Sequence, residues 1–186
     1  MSKALLVVDV QAGLFFADPE PWRAAELIAT INRLADRARH AGAPVLYVQH
    51  DGEAGSELEP GCIGWQLHPG LERAPLDPVV RKTACDAFFE TPLKATLQAL
   101  GVTELVVVGY ATEFCVDTTI RRATSEGFSV TLVHDGHTTK DRPHQRAEAI
   151  VEHHNWVWAQ FIQPQHPLRL AAADDIRFEP EEAPHA

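Results

Sequence analysis

The sequence predicts an α/β fold in which a doubly wound, mostly parallel sheet carries helices on both faces. Short apolar runs of strand length alternate with longer segments whose apolar residues recur at helical spacing. Each predicted strand is apolar on both faces, which is typical of a parallel sheet covered by helices on both sides. The 186 residues fit one domain, residues 1–186, with an acidic tail from about residue 179 that we expect to be mobile.

The first half of the chain predicts two strands, a helix and a long loop. Residues 4–10 form a short, β-branched apolar run that predicts a buried strand. Residues 24–41 place apolar side chains on one helical face, and Gly42 is well placed to end that helix. Residues 44–50 predict a second strand. Residues 51–78, rich in Gly, Pro and Glu, predict a loop, and because long loops in compact domains are usually functional, we expect this one to border a site.

The second half continues the alternation of strands and helices. Thr91 and Pro92 predict a helix start, with Thr91 as N-cap and Pro92 at the first helical position, and Gly101 ends that helix. The remaining predicted elements are a strand over residues 104–109, a helix over residues 115–126, a strand over residues 130–133, a helix over residues 143–154 and a short strand near residues 156–162.

Composition and charge exclude several classes of function. The net charge of −10 argues against binding to nucleic acid or to anionic membranes, both of which require a positive surface, so a small molecule is the expected partner. No apolar run is long enough to span a bilayer, and Asp9 interrupts the first one too early for a signal peptide, so we expect a cytoplasmic protein. The cysteines are odd in number and widely spaced, which argues against a disulfide framework or a thiolate zinc site.

Cys115 is the strongest candidate for chemistry. It is predicted to begin a helix that follows a buried strand, where unpaired N–H groups and the helix dipole stabilise an anion. That position predicts a lowered thiol pKa and a nucleophile, and the alternative is a buried structural cysteine. Asp9 closes the first strand at the same edge of the sheet, where it would accept the thiol proton or serve as a helix cap or structural ion-pair partner. Lys82 is either a charge partner or a solvated surface lysine.

These residues resemble the isochorismatase-like cysteine hydrolase family. The resemblance runs from Leu5 to about Phe178 and rests on three segments in a fixed order. The segments are Leu-Val-Val-Asp-Val-Gln ending at Gln11, Lys82 followed by Cys-Asp-Ala-Phe-Phe ending at Phe89, and Gly-Tyr-Ala-Thr-Glu-Phe-Cys ending at Cys115. The family implies a three-layer α/β/α fold and a catalytic triad of Asp9, Lys82 and Cys115.

The resemblance also implies a mechanism. Asp9 would act as the general base toward Cys115, and Lys82 would hold the carboxylate and the thiolate in place. Backbone N–H groups of Ala111 and Cys115 would form the oxyanion hole, with a cis peptide bond between Tyr110 and Ala111. The activity implied is metal-independent hydrolysis of a C–N bond in a small amide, ureido or carbamoyl compound through a thioester, without a cofactor. Family members tend to form homodimers or homotetramers.

The substrate pocket and the exact activity are less closely defined by the sequence. Six residues near the strand ends or in the long loop are predicted to bind substrate: Gln11, Phe16, Trp65, Phe88, Phe89 and Tyr110. For Trp65, Phe88 and Phe89 the alternative is plain packing or a subunit interface. Nicotinamidases carry an Asp-x-His metal site after the second strand, but this chain has His50-Asp51-Gly52 there, so we expect neither a metal site nor that activity. The sequence is also compatible with an isochorismatase or with a non-catalytic binding protein.

Overall fold

A computed structural model describes residues 2–178, and the predicted acidic tail from residue 179 lies outside the described residues. Its strands are β1 (Lys3–Val8), β2 (Val45–His50), β3 (Val79–Lys82), β4 (Glu104–Tyr110), β5 (Ser129–Thr138) and β6 (Leu168–Ala171). Its α-helices are α1 (Ala12–Phe16), α2 (Ala24–His40), α3 (Leu93–Ala99), α4 (Asp117–Ser125) and α5 (Ala147–Ala159), with a π-helical turn over Thr112–Val116 and a 3₁₀ turn over Ala173–Asp175. None of the described helices is both long and apolar enough to cross a membrane.

The strands form one sheet in the order β3-β2-β1-β4-β5-β6, and every neighbouring pair is parallel. The chain therefore builds outward from β1 in one direction and then from β4 in the other, which is the doubly wound arrangement that the sequence predicts. In such a sheet the strand order reverses between β1 and β4, and a crevice opens there at the carboxyl ends of the strands. Val8 of β1 lies between Val48 of β2 and Gly109 of β4, so these three strands end side by side.

The core consists of two layers, one on each face of the sheet. Successive side chains along a strand point to opposite faces. Leu6 and Val8 of β1 accordingly pack with Ile120 of α4 and other residues of one cluster, whereas Leu5 and Val7 belong to the cluster that contains the buried face of α2. This separation confirms the prediction of helices on both faces and shows which face of the sheet each polar strand end occupies.

The strand predicted near the carboxyl-terminal end of the described residues is different in the structure. The segment 156–162 is not a strand, because α5 begins at Ala147, continues to Ala159 and buries Trp158 completely against the sheet. The sixth strand is instead Leu168–Ala171. A short apolar segment cannot be assigned to a strand or a helix by its periodicity alone, and here the packing of Trp158 decides for the helix.

Gly109 allows β4 to approach β1 closely at the switch point. Its φ of +131° lies in a region that favours glycine, and an added Cβ would lie 2.2 Å from the carbonyl oxygen of Val8. A side chain at this position would push apart the two strands whose ends carry Asp9 and the π-helical turn. The close approach therefore contributes directly to the geometry of the site.

Candidate active site

The switch point brings Asp9, Lys82 and Cys115 together, although they come from three different parts of the chain. Asp9 follows β1, Lys82 ends β3, and Cys115 lies in the turn after β4. Lys82 Nζ is 2.6 Å from Asp9 Oδ2 and 3.3 Å from Cys115 Sγ, and it also donates a hydrogen bond of 2.8 Å to the Ala84 carbonyl. The carboxylate and the ammonium are almost fully buried, and the Cys115 thiol is the immediate neighbour of this ion pair.

Asp9 is held in an unusual backbone conformation. Its φ of +49° is left-handed, which aspartate tolerates better than most residues but which still costs free energy. Its backbone N–H donates to the Val48 carbonyl at 3.1 Å, which ties the residue to β2. While Oδ2 is occupied by Lys82, the buried Oδ1 has no hydrogen-bond partner among the described residues. This oxygen is an acceptor available for a proton from within the site.

The electrostatics of the pair are suited to proton transfer. Burial raises the pKa of Asp9, and the nearby Lys82 ammonium only partly opposes that increase. Burial alone would lower the pKa of Lys82, but the charges of Asp9 and Cys115 outweigh it and raise the pKa. Lys82 is therefore a permanent cation at this site, and Asp9 is a stronger base than an exposed carboxylate.

The thiol differs from the sequence-based expectation. We expected a lowered pKa for Cys115, but burial and the Asp9 carboxylate raise the pKa of the thiol, and Lys82 offsets this only in part. The expectation considered only the helix N-terminus and left out the burial of the thiol and the neighbouring carboxylate, which folding brings from β1. Cys115 lies inside the π-helical turn, and α4 begins only at Asp117. Burial and the neighbouring carboxylate therefore both favour the neutral form of the thiol at rest.

The π-helical turn shapes the backbone around Cys115. The N–H groups of Phe114 and Val116 both donate to the Ala111 carbonyl, at 3.0 and 3.1 Å, and so flank Cys115 in the chain. The peptide bond between Tyr110 and Ala111 is cis, as the resemblance implied. The two N–H groups predicted to bind an oxyanion, those of Ala111 and Cys115, thus belong to one compact turn at the switch point.

His137 supports this turn from β5, and the sequence analysis did not identify it. His137 is buried, with Nδ1 2.9 Å from Thr112 Oγ1 and Nε2 3.0 Å from Asn155 Oδ1. Because the Asn155 amide nitrogen donates to the His134 carbonyl, its oxygen accepts from Nε2, which leaves Nδ1 to accept from the Thr112 hydroxyl. Burial lowers the pKa of His137 to about 4, so the ring stays neutral and this arrangement persists at neutral pH.

Thr112→Val is expected to lower the free energy of unfolding by about 1–3 kcal/mol, because the buried Nδ1 of His137 loses its donor. It should also lower kcat on the order of 10-fold, because the turn that carries Cys115 is no longer held in position. Thr112→Ser retains the hydroxyl and is the matched control, expected to behave like the unmodified protein. Denaturant unfolding and steady-state kinetics measure the two effects, and an unchanged kcat in the valine variant would contradict this positioning role.

His50 is a second residue that the sequence analysis did not connect with the site. Its Nδ1 lies 3.4 Å from Lys82 Nζ, and burial, followed by the charge of Lys82, lowers the pKa of its ring. The sequence did contain the information that could have placed His50 near the site, because His50 ends the second strand at the same edge of the sheet as Asp9. The pairing of β2 with β3 was needed to show that it faces Lys82.

Gln11 and Trp65, two of the predicted substrate-binding residues, both make contacts that fix the long loop. The Gln11 amide nitrogen donates to the carbonyls of His50 and Trp65, both at 2.9 Å, and its oxygen accepts from the His50 N–H. Because Gln11 is fully buried and its amide bonds to backbone on both sides, we reassign it from substrate binding to anchoring the loop over the strand ends. Trp65 Nε1 donates to Asp51 Oδ1 at 2.8 Å, and the Arg81 guanidinium lies over its ring.

The predicted aromatic residues divide into core and surface positions. Phe88 is only 8% exposed and packs in the core against Phe128, so the packing alternative is correct for it. Tyr110 is also buried and packs edge-on against Phe15. Phe16 and Phe89 are 61% and 50% exposed. Alternation along the chain did not show which member of the Phe pair faces inward, because the segment that carries it is neither helix nor strand.

Asp51 directly follows β2, in the segment for which the sequence predicts no metal site. The single N–H of Arg81 Nε is shared between the two carboxylate oxygens of Asp51, at 3.0 and 2.9 Å, and Trp65 Nε1 also donates to Oδ1. Within residues 2–178, no group of three or more His, Cys, Asp or Glu side chains has an arrangement that could hold a metal ion.

Comparison with known proteins identifies the family of this chain. A family model described as "Isochorismatase domain" matches residues 3–158, which contain the whole site. The chain belongs to the isochorismatase family. Its membership confirms the resemblance seen in the sequence.

Several isochorismatase-family proteins are similar over most of this chain. A streptothricin hydrolase of Streptomyces noursei is 46% identical over 142 residues, which are 76% of this chain and 56% of that protein. A second streptothricin hydrolase from the same organism is 45% identical, and the match covers 51% of that protein. The chain therefore spans about half the length of these two relatives. A crystal structure of an isochorismatase-family protein superposes with a TM-score of 0.83 at 34% identity, covering 91% of this chain and 98% of the other. An isochorismatase from Pseudomonas putida KT2440 gives 0.84 at 30% identity, with coverage of 94% and 90%.

Proposed function

We propose that this protein is a cysteine hydrolase that cleaves a C–N bond of a small amide, ureido or carbamoyl compound without a metal ion. The observation that carries the proposal is the buried Asp9–Lys82 ion pair in direct contact with the Cys115 thiol. A buried ion pair is costly to maintain for stability alone, whereas a base and a cation beside a thiol are the groups that nucleophilic catalysis requires.

In the first step the thiol proton moves to Asp9 Oδ1 as Sγ attacks the substrate carbonyl carbon. The π electrons of the carbonyl move to its oxygen, and the resulting oxyanion is bound by the N–H groups of Ala111 and Cys115. The Lys82 ammonium stabilises the negative charge that moves from Asp9 to sulfur during this transfer. Because the thiol is neutral at rest, the proton that the leaving group needs is already inside the site.

In the second step the tetrahedral intermediate collapses and the C–N bond breaks. The leaving nitrogen takes the proton from Asp9 and departs as ammonia or an amine, which leaves a thioester on Cys115. Water then attacks the thioester carbonyl, with Asp9 accepting a proton from that water. Collapse of the second intermediate releases a carboxylic or carbamic acid and returns the proton to sulfur, so the site regains its resting state.

The names of the relatives support the choice of substrate class. Streptothricin hydrolases and a ureidoacrylate amidohydrolase of Methylobacterium radiotolerans, which is 34% identical over 155 residues, are among them. A nicotinamidase of Arabidopsis thaliana, 28% identical over 150 residues, is another. We propose streptothricin and small ureido compounds as the first substrates to examine, followed by nicotinamide and isochorismate, which represent different activities within the family.

The test is a panel of streptothricin, ureidoacrylate, linear amides, nicotinamide and isochorismate incubated with the purified protein. We expect hydrolysis of at least one amide or ureido compound, measured as ammonia release or by mass spectrometry of the products. Addition of a chelator should leave the rate unchanged. Turnover of isochorismate alone would favour an isochorismatase, and no turnover of any compound would favour a non-catalytic binding protein.

A further inference from the structure

His50 is a titratable residue at the site that the proposed mechanism does not use. It is the last residue of β2 and lies opposite Lys82 in the register of the β2–β3 pair. Its Nδ1 and the Cys115 sulfur are both close to Lys82 Nζ, at 3.4 and 3.3 Å. The imidazole and the nucleophile are thus both direct neighbours of the Lys82 ammonium.

Strand alternation places His50 on the same face of the sheet as Cys115. Val48 of β2 and Val80 of β3 belong to the core cluster against which Cys115 packs. A side chain two residues farther along a strand returns to the same face. The side chains of His50 and Lys82 therefore lie on the Cys115 face, at the carboxyl end of the strands where ligands bind in this class of fold.

The contact with Lys82 determines the tautomer of His50. An ammonium group has donors and no acceptor, and its three hydrogens have nearer partners in Asp9, Ala84 and Cys115. A positive charge 3.4 Å from Nδ1 nevertheless disfavours a proton on that nitrogen. Nδ1 is consequently unprotonated, and the neutral ring carries its proton on Nε2. The lowered pKa of His50 agrees with a neutral ring at physiological pH.

The Nε2–H group is a positioned donor without a partner among the described residues. The backbone of His50 is fixed by Gln11, which accepts from its N–H at 2.8 Å and donates to its carbonyl at 2.9 Å. The ring is half-buried, and within residues 2–178 its only hydrogen-bond contact is the one between Nδ1 and Lys82. A fixed hydrogen-bond donor on the face of the sheet that carries Cys115 is suited to bind an acceptor atom of a ligand.

We propose that the Nε2–H of His50 donates a hydrogen bond to a substrate oxygen next to the carbon that Cys115 attacks, which makes His50 a specificity-determining residue. The inference rests on the proposed function, because it takes Cys115 as the nucleophile. It narrows the substrate class to small amides whose acyl part has an oxygen acceptor close to the reacting carbon. A carboxylate or a second carbonyl group would satisfy this requirement, and a purely hydrocarbon acyl group would not.

The experiment compares two alkylating probes that react with Cys115 by the same displacement of iodide. In each case the sulfur–carbon bond forms, the carbon–iodine bond breaks, and the thiol proton passes to Asp9. Iodoacetamide has a carbonyl oxygen next to the attacked carbon, whereas allyl iodide has no oxygen. Modification rates of Cys115 are measured by peptide mass spectrometry, with the exposed Cys85 in the same protein as the internal reference.

Two substitutions distinguish the roles of the two ring nitrogens of His50. Glutamine places its amide nitrogen as many bonds from the backbone as Nε2, and asparagine places its amide as near the backbone as Nδ1. His50→Gln should keep the preference of Cys115 for iodoacetamide over allyl iodide to within about 2-fold. His50→Asn should lower that preference by about 2- to 10-fold, the effect of one lost hydrogen bond, with the allyl iodide rate unchanged.

The outcomes distinguish this proposal from the proposed function. If His50→Asn keeps the full preference for iodoacetamide, or if both probes slow equally in the two variants, Nε2 is not a substrate donor and the proposal is overturned. The rate with allyl iodide also shows whether each variant retains a folded site around Cys115. Because alkylation requires no turnover, absence of hydrolysis in the substrate panel would count against the proposed function alone.

Discussion

Cys115→Ala is expected to lower amide hydrolysis on the order of 10⁴-fold or more, the largest effect of any single substitution in this chain. Without the sulfur no thioester can form, and neither Asp9 nor Lys82 can replace the nucleophile. The substitution should change folding stability little, because the thiol is neutral at rest and the Asp9–Lys82 pair remains intact without it. Steady-state kinetics and denaturant unfolding of the same preparations measure both quantities.

The matched control for this substitution is Cys85→Ala. Cys85 is exposed and lies three residues after Lys82, but its sulfur has no role in the proposed mechanism. We expect Cys85→Ala to retain the activity of the unmodified protein within about 2-fold, since surface substitutions away from specific features have small effects. Equal loss in the two variants, or full activity in Cys115→Ala, would show that the nucleophile has been assigned to the wrong residue.

Asp9→Asn is expected to lower kcat by about 10²- to 10⁴-fold and to destabilise the fold. The amide cannot accept the thiol proton, so the general base is lost. The same substitution leaves the buried Lys82 ammonium without a counter-ion, and an unpaired buried charge typically costs about 3–5 kcal/mol. Kinetics with the substrate identified in the panel and unfolding in urea give the two values.

A double variant separates the catalytic effect of Asp9 from the structural one. Asp9→Asn combined with Lys82→Met removes both charges, so we expect most of the lost stability to return while the activity stays low. Recovery of activity together with stability would mean that Asp9 acts only through folding.

The pH dependence of the unmodified protein gives an independent check on Asp9. Because burial raises the pKa of Asp9 and the base must be ionised to act, activity should fall as the pH decreases through that raised pKa. This acidic limb should begin at a higher pH than an exposed aspartate would give. The residual activity of Asp9→Asn should lack the limb, and an identical profile in both proteins would exclude Asp9 as the titrating group.

The alternation of apolar runs was sufficient to predict the doubly wound sheet, because both faces of a parallel sheet are buried and its strands are therefore continuously apolar. The same logic placed Asp9 at a strand end, since a carboxylate that closes an apolar run marks the edge of the core. Local pattern failed at residues 156–162, where the packing of Trp158 against the sheet rather than the periodicity determined the structure. It also failed for Phe88, whose burial depends on the path of a segment without regular structure.

Cys115 shows most clearly which properties follow from the sequence and which depend on the tertiary structure. The sequence by itself determined that a cysteine follows an apolar strand, that Asp9 ends another, and that the order of motifs is that of a hydrolase family. Only the tertiary structure decided that burial raises the pKa of the thiol, that Lys82 contacts both Asp9 and the sulfur, and that His50 and His137 border the site. The reason is physical: helix and strand preferences arise from residues near one another in the chain. Proton affinities depend instead on burial and on charges a few ångströms away, which folding brings from distant positions.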